Sequence, residues 1–178
     1  MRTAWVAIIV CWFIWNFGNF AAPIGQTKQP EVTLVGIWQD SPEIASGWSD
    51  SYQFFADGHF VFHYNQMDCS DRKRAYSGLW ILKGNSLNLL VAEREDLVGG
   101  HVEQARGSCG TDLELVGAQL KTVQVKPQES LTLKISRIQY AAAEVYNFET
   151  GKSNTKRIPR IFIDGAQYWK LRDDPTKY

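Results

Sequence analysis

The chain is poor in the features that mark enzymes, helical proteins and nucleic-acid binders. Beyond its N-terminus, no stretch of the 178 residues keeps apolar positions at helical spacing over the roughly ten residues a helix needs. Charge of one sign is missing too, with 19 Lys and Arg against 19 Asp and Glu. That balance leaves no field to draw in nucleic acid or an anionic membrane. No fixed-period repeat is present, which argues against propellers and solenoids. There is no Gly-x-Ser-x-Gly elbow, no glycine-rich phosphate loop after a strand and no HExxH pair. Asp40, Asp50, Asp57 and Glu144 are scattered among turns, where such carboxylates ordinarily satisfy local backbone N–H groups. With no nucleophile or acid–base pair to name, the expectation is a protein without catalysis and without a cofactor.

Cysteine is equally scarce. There are three, Cys11, Cys69 and Cys109, with no CxxC spacing to suggest a redox or metal thiol. Cys11 falls inside the apolar run Ala4–Trp15, which follows Arg2 and precedes the small residues Ala21-Ala22. Residues 1–22 read as a signal peptide, because a membrane-spanning helix wants about 20 uninterrupted apolar residues. Retained uncleaved, the segment would be an anchor and the one route to a membrane. Residues 23–32 read as a tether, and residues 33–178 as one domain. Two cysteines left in an exported chain make one disulfide, Cys69–Cys109, closing a loop of about 40 residues worth roughly 4 kcal/mol in the chain-entropy description.

Strand chemistry is abundant. The stretch Ser51–Val91 alternates aromatic, β-branched and leucine runs with turn signals at Asp57-Gly58, around Cys69–Arg74 and at Lys83-Gly84-Asn85. This is the pattern of an antiparallel meander. Asp57-Gly58 between aromatic runs predicts a type I′ hairpin, which needs positive φ at both central residues. Strands are expected at 33–39, 51–56, 59–66, 75–82 and 86–92, followed by an exposed loop over 93–110. Thr111–Val125 reads as a strand pair or one strand bent at Gly117. Pro127-Gln128-Glu129 reads as a turn and Ser130–Tyr140 as a strand bulged near Ser136-Arg137. Tyr140–Phe148 is open between strand and helical turn, and a last hairpin turns about Asp164-Gly165. Nine or ten strands in sequence leave two edges unless the sheet closes, so the expected fold is all-β, an up-and-down meander closed into a barrel of about eight to ten strands.

Gly36-Ile37-Trp38 on the first strand resembles the Gly-x-Trp signature of the lipocalins and their bacterial lipocalin-like relatives. The resemblance implies that Trp38 plugs a barrel floor beneath a basic residue of the last strand. Arg172 or Lys170 is that residue, with Arg160 as a substitute. It also implies an interior. Phe60, Phe62 and Tyr64 share one face of their strand with Trp80 on the next, so they either line a site for a small apolar ligand or fill the core. The first reading is an exported ligand carrier. The alternative is a filled barrel that works through protein contacts, as a protease inhibitor does, with Glu93–Gly110 as the contact segment. His59 and His63 sit about 13 Å apart along one strand face, too far to clamp one metal ion, and His101 reads as solvated. Arg72-Lys73-Arg74 reads as a solvated loop, with an anionic ligand or partner as the functional alternative.

Overall fold

The computed structural model describes residues 33–43, 48–147 and 150–177. The signal peptide and tether expected over 1–32 lie outside the described residues. The described chain is all-β, nine strands without a helix: β1 (Gly36–Gln39), β2 (Ser51–Phe54), β3 (His59–His63), β4 (Lys73–Lys83), β5 (Ser86–Gln104), β6 (Leu113–Lys134), β7 (Gln139–Asn147), β8 (Lys152–Ile163) and β9 (Ala166–Arg172). They form one antiparallel sheet in the order β6-β5-β4-β3-β2-β1-β9-β8-β7.

Local chemistry sets the turns. Asp164 and Gly165 both take positive φ, 49° and 86°, and join the register pair Ile163–Ala166 as the two-residue type I′ turn that Asp-Gly favours. The turn at Asp57-Gly58 differs from expectation, because Gly58 alone has positive φ. Phe55 N donates to His59 O at 2.9 Å and Gly58 N to Phe55 O at 3.1 Å, which is the longer hairpin loop in which a turn is followed by one left-handed glycine. The Tyr140–Phe148 ambiguity resolves as strand: β7 pairs with β8 over nine register positions, from Gln139–Arg160 to Asn147–Lys152. Cross-strand packing there overrides the helical preference of three alanines.

The inner face holds the core. Trp38, Phe54, Phe60, Leu87, Leu89, Val91 and Ile161 are fully buried. They come from alternate positions of their strands, as the exposed–buried alternation of β3 shows directly. β1 and β2 are buried on both faces.

The expected closed barrel is not formed. β1 does meet β9, with Trp38 opposite Lys170, but the ring is broken between β6 and β7. Strand geometry lapses at Ser136, Arg137 and Ile138, and β7 pairs with β8 alone. Among the described residues one isolated bridge, Ile135 to Ile163, ties the end of β6 to β8, beside Ser136 N donating to Phe162 O at 2.9 Å and Asp164 N to Lys134 O at 2.7 Å. A second expectation holds only in part. Glu93–Gly110 is a loop only beyond Gln104: β5 runs on to Gln104 and pairs with β6 as far as Gln104–Leu113. The turn expected at Pro127-Gln128-Glu129 is instead an irregularity within β6, opposite the step from Val91 to Glu93.

Gly36 holds the close approach that joins β1 to β9. Its φ is +130°, and a Cβ there would lie 2.3 Å from the carbonyl oxygen of Arg172, a contact between two backbones that no rotamer change relieves. Gly36→Ala is expected to cost about 3 kcal/mol through strain and overlap together. Urea denaturation of the two proteins checks this, and an unchanged midpoint would show that the approach carries no energy.

Candidate functional site

The residues expected to line an interior occupy two environments. Phe60 and Phe62 are only 1% and 4% exposed; Phe60 meets Tyr76 edge-on at 5.8 Å, and Phe62 touches other rings on several sides. Phe62 lies 4.5 Å from Tyr52, 4.8 Å from Tyr76 and 5.0 Å from Tyr64, centroid to centroid. Tyr64 and Trp80 are half-buried and pack against the edge of this cluster. Trp80 meets Phe54 edge-on at 5.5 Å and donates its indole N–H to Phe55 O at 3.1 Å. Aromatic contacts of this kind add to the energy of area burial. Phe60 and Phe62 therefore sit in the packed core, and Tyr64 and Trp80 lie at its rim.

The floor is built around Trp38, whose indole N–H donates to Leu34 O at 2.7 Å. The basic residue over its ring is Lys170, with Nζ 5.6 Å from the centroid. Arg172 is instead the register partner of Ile37, and Arg160 lies over Phe162 and Trp169. The phase of the strand explains the assignment, since the two-residue step from Lys170 to Arg172 is offset by a bulge between Ile37 and Trp38. The Lys170 side chain is 5% exposed; its ammonium donates to Thr33 O at 3.1 Å and meets Asp173 at 2.7 Å. Asp173 itself is almost fully exposed, so solvent screens that ion pair.

Above the floor, four phenols gather on the inner face. Tyr52 and Tyr76 share a hydrogen bond of 3.3 Å, and Tyr168 meets Tyr52 edge-on at 5.2 Å. Burial pushes the Tyr52, Tyr64, Tyr76 and Tyr168 hydroxyls above their ordinary value near 10. Desolvation is the leading cause in each, because it penalises the phenolate.

The outlying part of the sheet is a long β5–β6 hairpin. It bends where Gly99, Gly100 and Gly117 take positive φ; at Gly100 a Cβ would lie 2.5 Å from Val116 O, so only glycine passes. The tip is fastened back to the β3–β4 loop by the Cys69–Cys109 disulfide. Around that bond Gly110 N donates to Met67 O at 2.6 Å and Leu115 N to Cys69 O at 3.0 Å. Arg72 adds two bonds, from Nη1 to Leu97 O at 3.2 Å and to Gly99 O at 2.7 Å. Val98, Val102, Leu113, Val116, Leu120 and Val123 are all exposed on this arm, Leu120 at 57%. Among the described residues β6 has a ladder on one side only, to β5. Neither the arm nor its free edge was foreseen, because the charges of Glu93–Gln104 imitate a solvated loop. The β-branched Val98 and Val102 were the signal that could have found it.

Two cavities of about 110 Å³ flank β4. One is lined by Tyr64, Lys73, Ala75, Tyr76, Arg94 and Asp96, the other by Val61, His63, Ala75, Tyr76, Ser77, Glu93 and Glu95. Among the described residues no three His, Cys, Asp or Glu side chains gather to hold a metal ion. His59 meets Asp57 and His101 meets Glu103. No family model, curated protein or solved structure matches the chain.

Two predictions follow from the floor and the phenols. Lys170→Ala is expected to cost about 2 kcal/mol, the scale of a buried charge-assisted hydrogen bond, and Asp173→Asn less than about 1 kcal/mol. Thermal unfolding of both variants measures this, and the reverse order would place the support of Lys170 in the ion pair. For the phenols, the unfolded chain releases protons as pH passes about 10 while the folded chain holds them. Stability is therefore full below that value and falls as pH rises through it. The urea midpoint should drop between about pH 9 and about pH 11, and less so in Tyr52→Phe.

Proposed function

We propose that this chain is an exported, non-catalytic, lipocalin-like sheet that works as a protein-interaction module, with the β5–β6 hairpin as its contact surface. The lipocalin-like part of this reading is supported by the floor, where Gly36, Trp38 and Lys170 hold the first strand to the last. Export is supported by the signal-like N-terminus and by the Cys69–Cys109 bond, which is compatible with an oxidising compartment.

The observation that carries the contact role is the arm itself. Its exposed valines and leucines lie on β5 and on β6, and among the described residues β6 pairs with no strand on its outer side. Proteins usually shield such an edge, and one left open accepts a further strand. Lys121 and the irregularity around Pro127 guard part of it, so the open portion is short and selective. The competing role as a carrier of an apolar ligand has less support, because the rings expected to line its pocket are packed on one another.

A photo-crosslinking amino acid at Leu120, compared with one at Leu79 on β4, tests this in the native host. The expected result is a discrete protein adduct from position 120 and none from position 79. Native mass spectrometry of the same preparation is the counterpart. A stoichiometric apolar small molecule, with no adduct from position 120, would overturn the reading in favour of a carrier.

A further inference from the structure

The tip of the β5–β6 hairpin, residues 105–112, carries Arg106, whose side chain is 81% exposed. Gly107, Ser108, Gly110, Thr111 and Asp112 beside it are exposed as well. Two bonds shape the loop from within: Ala105 N donates to Asp112 O at 2.9 Å, and Arg106 N to the Glu114 carboxylate at 3.1 Å. The Arg106 guanidinium meets Glu103 at 3.1 Å. That pair is open to water on the arginine side, so a stronger acidic site displaces it at small cost. A Cβ on Gly107 would meet nothing nearby, and the glycine gives the backbone just past Arg106 its conformational freedom.

The strand that leads into Arg106 is presented in the form an endopeptidase reads. β5 is extended as far as Gln104. On the side away from β6, β4 reaches only to Lys73, opposite Asp96, and Arg72 covers Leu97 and Gly99. Beyond Gly99 no strand lies along that side among the described residues, so an added antiparallel strand can pair there. The other arginines and lysines among the described residues lie within strands, apart from three. Arg72 is bonded to β5, Arg137 stands in the short break between β6 and β7, and Lys177 is beside the C-terminus. The disulfide straddles the tip. Cys69 precedes Arg106 in the chain and Cys109 follows it, so a chain cut at Arg106 stays covalently joined.

We propose that the Arg106–Gly107 bond is a processing site for a trypsin-like serine endopeptidase, and that the product is a two-chain protein held by Cys69–Cys109. The acidic specificity pocket of such an enzyme takes the guanidinium in place of Glu103, while the residues before Arg106 lie against it as an added strand. One water is consumed. The C–N bond between Arg106 and Gly107 breaks, the oxygen of the water joins the new Arg106 carboxylate, and the nitrogen becomes the Gly107 amine. No oxidant or reductant enters, and the disulfide is untouched. The β5–β6 ladder, which ends at Gln104–Leu113, lies outside the cut and persists. Freedom at Gly107 favours turnover over the preorganised grip of an inhibitor loop. The site uses the tip and the β5 side of the hairpin, so it stands or falls separately from a partner along β6.

Limited digestion of the folded, disulfide-intact full chain with trypsin tests the proposal. Within residues 33–172 the first cut is expected after Arg106. The product should gain the mass of one water and run as one species without reductant. On reduction it should part into a chain ending at Arg106 and one starting at Gly107. Arg106→Gln, which removes an exposed side chain and one weak ion pair, should slow that cut by about a hundredfold or more. Protein purified from its own host is the counterpart, with the two-chain form expected by mass spectrometry. A first cut elsewhere in that range, equal cutting of Arg106→Gln, or fragments that part without reductant would each overturn the proposal. So would a stable complex of the chain with inhibited trypsin, or a single uncut chain as the only form in the host.

Discussion

The joining of the first strand to the last over Trp38 is the constraint on which the rest depends. β1 is only four residues long, yet it holds β2 on one side and β9 on the other. It can do so because Gly36 lets two backbones approach more closely than any side chain permits. That approach sets Trp38 beneath Lys170 and fixes the phase of β9. The phase of β9 in turn decides which residues of β8 face inward through the pairs Ile161–Tyr168 and Ile163–Ala166. A slip of one residue at this seam would turn Tyr168 and Ile161 out of the core. The inner aromatic cluster is a consequence of that registration as much as of its own hydrophobicity.

Much of this was legible before any coordinates. The all-β class, the meander order, the final hairpin at Asp164-Gly165 and the pairing of Cys69 with Cys109 follow from local rules about turns, alternation and cysteine use. What could not be read are the properties set by distant partners. Closure is one: it needs a continuous ladder between β6 and β7, and nothing local to Ser136–Ile138 announces that β7 pairs with β8 alone. The choice of Lys170 over Arg172 is another, since it turns on a bulge whose cause lies in the partner strand. The extension of β5 through Glu93–Gln104 was obscured because charged residues are at home both in loops and on the outward face of a strand. There the cross-strand pairs Arg94 with Glu129 and Glu93 with Gln124 are what support the extended form.

The candidate sites show the same division. Phe60, Phe62, Tyr64 and Trp80 were recognisable as one face, but whether such a face is core or lining depends on what packs opposite. Tyr52 and Tyr76 supply the answer for Phe62. Arg94 and Asp96 were invisible as cavity residues because they belonged to the supposed loop. Lys73 was visible only as one member of a charged triplet. Its separation from Arg72 and Arg74 comes from the register shift within β4 and β5, which sends three neighbouring side chains to three different destinations.

The single bridge between Ile135 and Ile163 has a mechanical meaning. In a sheet hydrogen-bonded all the way round, strand number and stagger fix the radius, and the enclosed space cannot grow without breaking a whole ladder. Here the end of β6 is held to β8 by one bridge and the few hydrogen bonds beside it, so the sheet's curvature is less tightly fixed by hydrogen bonding. Enlarging the rings of the inner face would spread the two arms at the cost of a few bonds, whereas the same change in a complete hoop would have nowhere to go.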